Sequence, residues 1–246
     1  MADAIDVRLI AGGKYHDIDY ARLQLLALLS EHERARVRIA EDYGEADELA
    51  SADMLVTYTC DVVPSQEQIE GLKAFLSRGR RWFALHGTNS TFAIETDGKV
   101  KVPPLPRDFY EMLGSQFMAH PPIGRYRVRN AQPSHPLVSG VGDFLVEDEH
   151  YLQEYLPGNE VLLTTRFSGS TSLFEKDSWP EQEHQAMYLR KAHGGEILYL
   201  TLGHARGRYD MRPIADFYPA VERGAWQLPV FHELLRRGIR WALEKL

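Results

Sequence analysis

Between residues 7 and 85 the chain alternates apolar runs of strand length with amphipathic stretches of helix length, and few folds accept that pattern. Val7-Arg8-Leu9-Ile10-Ala11 reads as a strand stopped by Gly12-Gly13. From Tyr20 onward, Leu23, Leu25, Leu26, Leu28 and Leu29 form a broad apolar helical face. Residues 36–40 alternate as a second strand, and Met54-Leu55-Val56-Thr57-Tyr58 has the β-branched and aromatic content of a buried third. Ser65 and Gln68 have the spacing of a capping box, opening a helix whose stripe is Ile69, Leu72, Phe75 and Leu76 and whose end is Gly79. Trp82-Phe83-Ala84-Leu85 is a fourth strand, stopped at His86-Gly87. The order predicts an α/β fold with a doubly wound, mostly parallel sheet and helices on both faces, three layers in all.

The middle is less regular. Residues 99–106 are proline-rich and read as a surface excursion, and 108–113 as a short helix closed by Gly114. Residues 125–129 and 144–146 read as strands flanking Ser134-His135-Pro136, and 161–167 as another. Residues 186–189 and 197–202 flank His193-Gly194-Gly195 as a hairpin. Pro229 opens a strong terminal helix carrying Phe231, Leu234, Leu235, Ile239, Trp241 and Leu243. No repeat or linker interrupts residues 1–246, so one domain is expected.

A formal charge of -7 argues against a nucleic-acid partner. The arginines at 78, 80, 81, 236 and 237 follow helix patterns and are expected to cap helix ends. One cysteine excludes an internal disulfide, and the opening Met-Ala-Asp-Ala-Ile-Asp lacks the basic and apolar regions of a signal peptide. Apolar stretches fall short of a membrane span, so the expected address is the cytoplasm, with no membrane partner. A homo-oligomer stays open.

In open parallel sheets, ligands bind beyond the carboxyl ends of the strands. His16 follows the first strand, His86 the fourth, and His204 follows Leu200-Thr201-Leu202-Gly203, so three distant histidines are expected at one edge. Neutral imidazole binds metals and titrates near neutrality; the ordinary alternative is that each ring bonds a loop carbonyl. His120 precedes Pro121-Pro122, and Glu147-Asp148-Glu149 ends a strand. Alternation does not decide which acid points inward, and such a carboxylate beside imidazoles serves as metal ligand or general base. His135 reads as a satisfied turn residue, while His32, His184, His193 and His232 sit in polar helix or loop settings and receive no role. Gly12-Gly13 lacks the full fingerprint of a phosphate loop, and no nucleotide cofactor is expected.

Together these pieces resemble the ThuA-like proteins, a family named for trehalose utilisation that shares the flavodoxin-like fold of class I glutamine amidotransferases. The matching stretches are Gly12-Gly13 through His16-Asp17, Leu85-His86-Gly87, Phe117 through His120-Pro121 and His135-Pro136. Asp148-Glu149-His150-Tyr151, Leu202-Gly203-His204 and the helix around Leu234 to Ala242 continue the series in family order. In the amidotransferases a cysteine nucleophile stands at the turn where this chain has His86, with its histidine partner at the position of His204. Cys60 follows another strand, so glutamine hydrolysis is not expected. The run Ala205 to Arg212 is richer in arginine than the family pattern; it reads as a solvated loop or a substrate contact.

The resemblance implies sugar metabolism, with a small-molecule sugar such as a keto-glycoside as substrate. A 3-keto group acidifies the neighbouring C–H, so a base, an acid and an electrophile suffice to expel the glycosidic oxygen, by a hydrolase, lyase or isomerase route. The expected catalytic groups are His86, His204, Glu149 and Asp17, with Tyr15, His120, Tyr151 and Arg208 as substrate contacts. A divalent metal (zinc, manganese, iron or nickel) is expected on some of His16, His86, His120, Glu149 and His204. The alternatives are a metal-free pocket with His86 and His204 as acid and base, and a non-catalytic module that binds a sugar or metal.

Overall fold

The computed structural model describes residues 4–244. Each expected N-terminal strand forms: β1 (Ile5–Gly13), β2 (Ala35–Ala40), β3 (Met54–Cys60) and β4 (Arg81–Leu85). Between them run α1 (Ile18–Leu29), α2 (Ala46–Ser51) and α3 (Gln66–Ser77), the last with the full Ser65–Gln68 capping box. The proline-rich excursion carries a small hairpin of β5 (Ala93–Ile94) and β6 (Val100–Lys101). After it comes α4 (Arg107–Leu113), which ends on Gly114 at φ 72°.

Next come β7 (Ser115–Ala119), β8 (Gly124–Asn130), β9 (Phe144–Asp148), β10 (Leu152–Tyr155), β11 (Glu160–Ser170), β12 (Ser178–Ala192) and β13 (Gly195–Leu200). No α-helix separates these strands among the described residues, and α5 (Pro229–Leu243) follows them. The main sheet has the order β2-β1-β3-β4-β13-β12-β11-β8-β9. From β2 to β13 every neighbour is parallel, and β3 and β4 pair directly. From β13 to β9 every pairing is antiparallel. The sheet is therefore parallel over one half only, which corrects the expectation of a mostly parallel one. Parallel neighbours need a crossover of a dozen or more residues, usually a helix. Without helices between β7 and β13, the chain returns by direct turns; His193 (φ 49°) and Gly194 (φ 89°) make the tight turn joining β12 to β13.

Alternation along β4 sends Phe83 and Leu85 into a core with Leu25, Leu234 and Ile239, while Trp82 and Ala84 face Leu72, Phe75 and Phe109. Opposite sheet faces are thus packed by α1 with α5 and by α3 with α4. β7 and β10 pair separately and carry Phe117, Tyr151 and Leu152, which pack with Phe174 and Trp179 in a third cluster. Glycine is needed where strand ends meet other backbone. A Cβ on Gly12 would lie 1.8 Å from the Glu41 carbonyl oxygen, and one on Gly87 2.5 Å from that of Thr59. No helix among the described residues is long and apolar enough to cross a membrane.

Candidate metal and acid–base site

The ends of β1, β4 and β13 deliver His16, His86 and His204 to one buried point, and Glu149, just beyond β9, meets them there. One ligand atom from each of these four residues lies within 4.8 Å of all the others. Ligands opposite one another on an ion with bonds of about 2.0–2.2 Å sit at most about 4.4 Å apart, so the group closes on a metal with shifts of tenths of an ångström.

Tautomers favour such an ion. His16 Nδ1 donates to the Lys14 carbonyl at 3.1 Å and His86 Nδ1 to the Thr201 carbonyl at 2.8 Å. Both Nε2 atoms are then bare, yet they face each other at 2.9 Å, with Glu149 Oε2 at 3.6 and 3.5 Å. Two lone pairs facing each other repel, and either a proton on one ring or a cation between them, balanced by Glu149, relieves the contact. Burial pushes both rings below the ordinary histidine pKa, which disfavours a proton in that place. His204 is arranged the other way round: Nε2 donates to Glu222 at 2.8 Å, and the fully buried Nδ1 lies 3.2 Å from Glu149 Oε1. Burial opposes charge on His204, but Glu149 and Glu222 outweigh it and raise its pKa to about 9. Burial alone would raise Glu149; His204, His120 and His16 hold it well below the carboxylate range. His16 and His86 thus each have Nδ1 fixed by a carbonyl and Nε2 turned into the site. His204, charged at neutral pH, has Nε2 fixed by Glu222 and points an Nδ1–H at Glu149 that a binding metal would displace.

The backbone supports this geometry. His86 has φ 46° and Tyr15 has φ 65°, left-handed conformations that cost bulky residues energy and cluster at functional sites. Asp148 accepts the backbone N–H groups of Gly203 at 3.0 Å, His204 at 3.0 Å, Ala225 at 2.9 Å and Glu149 at 2.7 Å. One acid of the run therefore clamps the backbone and the next enters the site. Tyr151 stacks on the His86 ring with centroids 4.5 Å apart, and its hydroxyl lies 3.2 Å from His86 Nε2. Burial drives the Tyr151 pKa well up, so the phenol stays protonated.

Some expected residues stand elsewhere. His120 reaches Glu149 Oε1 only at 3.7 Å and falls outside the four-residue group; it is a rim residue whose Nδ1 is tied to the Pro121 carbonyl. Asp17, expected among the catalytic groups, caps α1 through the Tyr20 N–H, pairs with Arg223 at 2.9 Å and lies outside the four-residue group. Arg208 is exposed and donates to the Pro219 carbonyl, away from the cluster. Tyr15 is half-buried with its ring edge-on to Phe92. His184 lies buried on β12, not in a polar loop.

Arg206 and Glu222 were not anticipated. Arg206 donates to Glu149 at 3.0 Å, to Glu222 at 3.0 Å and to the Tyr15 carbonyl at 3.0 Å. Its position two residues after His204 in extended chain is the one available signal, since i and i+2 share a face. Glu222, 16 residues further along, has no local signal.

A family model described as ThuA, trehalose utilisation, matches residues 7–224. Among solved structures, a ThuA-like protein from Bacteroides uniformis is similar over 100% of this chain and 94% of its own, with 15% identity and a TM-score of 0.68. Another, from Parabacteroides merdae, covers 98% and 90% with 17% identity and a TM-score of 0.60. A GMP synthase-type protein from Thermoplasma acidophilum covers 100% and 97% with 12% identity and a TM-score of 0.53. At such identities the likeness shows the fold. No curated protein matches at a significant level.

Proposed function

The chain belongs to the ThuA family, described by trehalose utilisation, and from that premise we propose that it is a carbohydrate-processing enzyme acting on a keto-glycoside or related sugar with the help of a divalent metal. The observation that carries this reading is the convergence on Glu149 of three imidazole nitrogens, each aimed by an oxygen acceptor on the opposite nitrogen of its ring. Zinc, manganese, iron and nickel all suit three nitrogens and one carboxylate. When bound, such an ion supplies an electrophile for a carbonyl or enolate oxygen.

The chain's own groups provide the proton transfers. His120, at the rim and more exposed than the four ligand candidates, takes the proton from the carbon beside the carbonyl. The freed electron pair forms a carbon–carbon double bond as the glycosidic C–O bond breaks, and the leaving oxygen takes a proton from the Tyr151 hydroxyl. Addition of water to the unsaturated sugar completes a net hydrolysis. The test is elemental analysis of the purified protein together with incubation on 3-keto-trehalose. Near-stoichiometric transition metal and chelator-sensitive glucose release are expected; a protein that takes up no added metal and releases no glucose ends the proposal.

One observation favours a second reading, a non-catalytic metal or sugar sensor. None of the four ligand candidates is more than 6% exposed, so a sugar reaches them only when rim residues move. Stoichiometric metal without turnover on any keto-glycoside would support the sensor.

A further inference from the structure

We infer that Glu222 is a common anchor for two of the four ligand groups, setting His204 directly and Glu149 through Arg206; the inference rests on the metal reading above. Glu222 Oε2 accepts from His204 Nε2 at 2.8 Å and from an Arg206 terminal nitrogen at 3.0 Å, while Oε1 accepts from the Tyr218 hydroxyl at 2.9 Å. The backbone is pinned as well: Arg206 and Glu222 exchange N–H···O bonds of 2.9 and 2.8 Å. The carboxylate is therefore held from both ends of the segment that joins it to His204.

A carboxylate has no proton to give, so the proton in the Glu222–His204 contact sits on Nε2. His204 is left to bind through Nδ1, whereas the carbonyls of Lys14 and Thr201 leave His16 and His86 to bind through Nε2. The Arg206 guanidinium spans the second link. One terminal nitrogen rests on Glu222, and the other holds Glu149 Oε1 at 3.0 Å, while Glu149 Oε2 stays turned toward His16 and His86. Removing the Glu222 charge therefore loosens a nitrogen ligand and an oxygen ligand together. Partners of metal ligands typically contribute about 10–100-fold in metal affinity.

The experiment is a Co2+ titration of wild type, Glu222→Gln and Glu222→Asp against a competing chelator, recording visible spectra and melting curves. Glu222→Gln is expected to bind Co2+ about 10–100-fold more weakly with an altered d–d spectrum, at a metal-free melting temperature close to wild type. Glu222→Asp keeps the charge at a shorter reach and is expected to recover part of the affinity; it also serves if the glutamine variant does not fold. In the Zn2+-loaded wild type, imidazole 15N NMR should show His204 protonated at Nε2 and His16 and His86 at Nδ1. Wild-type affinity and spectrum in the folded variants, or His204 protonated at Nδ1, overturn the anchor while leaving the metal site standing. A wild type that takes up no Co2+ overturns both.

Discussion

Glu149 and His150 are consecutive, yet they serve two buried histidine groups of opposite character. Glu149 joins His16, His86 and His204. On the other side, the His150 ring stacks on Tyr126 with centroids 4.1 Å apart, its Nε2 meets the Thr165 hydroxyl at 2.7 Å, and His184 stands 6.1 Å away, packed near Trp179. Among the described residues no carboxylate pairs with this second group. Burial lowers the pKa of His150 to about 3 and that of His184 to about 4, so both are neutral packing elements at pH 7. Burial is common to the two groups and does not distinguish them. The difference is the convergence of oriented ring nitrogens and an anion on one point.

That distinction breaks first at Glu149. Glu149→Gln keeps the shape but removes the charge that balances Arg206, His204 and any bound cation. Loss of Co2+ uptake is expected, exceeding the roughly 10–100-fold effect of an outer partner. His150→Phe, one residue on, should leave uptake unchanged. If the two variants bind Co2+ equally, the groups do not differ in the way argued.

The first group was partly legible because glycines mark the strand ends around it. Gly12-Gly13, Gly87 and Gly203 sit where β1, β4 and β13 stop, so His16, His86 and His204 could be placed from topology alone. The choice between Asp148 and Glu149 could not, because the acid run leaves β9 and the alternation stops at the strand's last residue. Arg206 was hidden in an arginine-rich run whose other arginines, Arg208 and Arg212, are exposed. His184 was hidden by its surroundings: Glu181-Gln182-Glu183-His184-Gln185 is polar at every position and reads as loop. It is in fact part of the 15-residue β12, whose pairing with β11 shifts register between Leu163 and Thr164 and again beyond Phe167. The antiparallel half carries its own signal, since the strand patterns at 125–129, 144–146 and 161–167 follow one another with no helix between.

The second group sharpens the comparison through pH. With a folded pKa of about 4 against about 6.5 unfolded, His184 binds fewer protons in the native state. Its contribution is complete above the unfolded pKa and is lost as pH falls from about 6.5 to about 4. Between pH 7 and pH 5 the loss is about 2 kcal/mol. Urea unfolding of wild type and His184→Phe at both pH values should show a shallower pH dependence in the variant by about that amount. Equal slopes would mean that His184 is not held neutral by burial.

The smallest effect is expected at Cys60, which tests whether nearness to the first group is enough for membership. Cys60 is 1% exposed at the end of β3, beside the turn that carries His86, and its Cβ would be 3.1 Å from a Cβ built on Gly87. Burial, with Glu149 and Asp61 nearby, pushes the thiol well above its ordinary pKa, so no thiolate is available as nucleophile or ligand. Its sulfur fills space between strand and turn. Cys60→Ala removes that one atom and should cost about 1 kcal/mol of stability. Co2+ affinity and turnover of a keto-glycoside should each stay within about twofold of wild type, because neither the ligand nitrogens nor Tyr151 depends on the thiol for a hydrogen bond. A tenfold drop in Co2+ affinity at unchanged stability would bring Cys60 into the site and make the boundary between the two groups one of distance from Glu149, not of nitrogen orientation and charge.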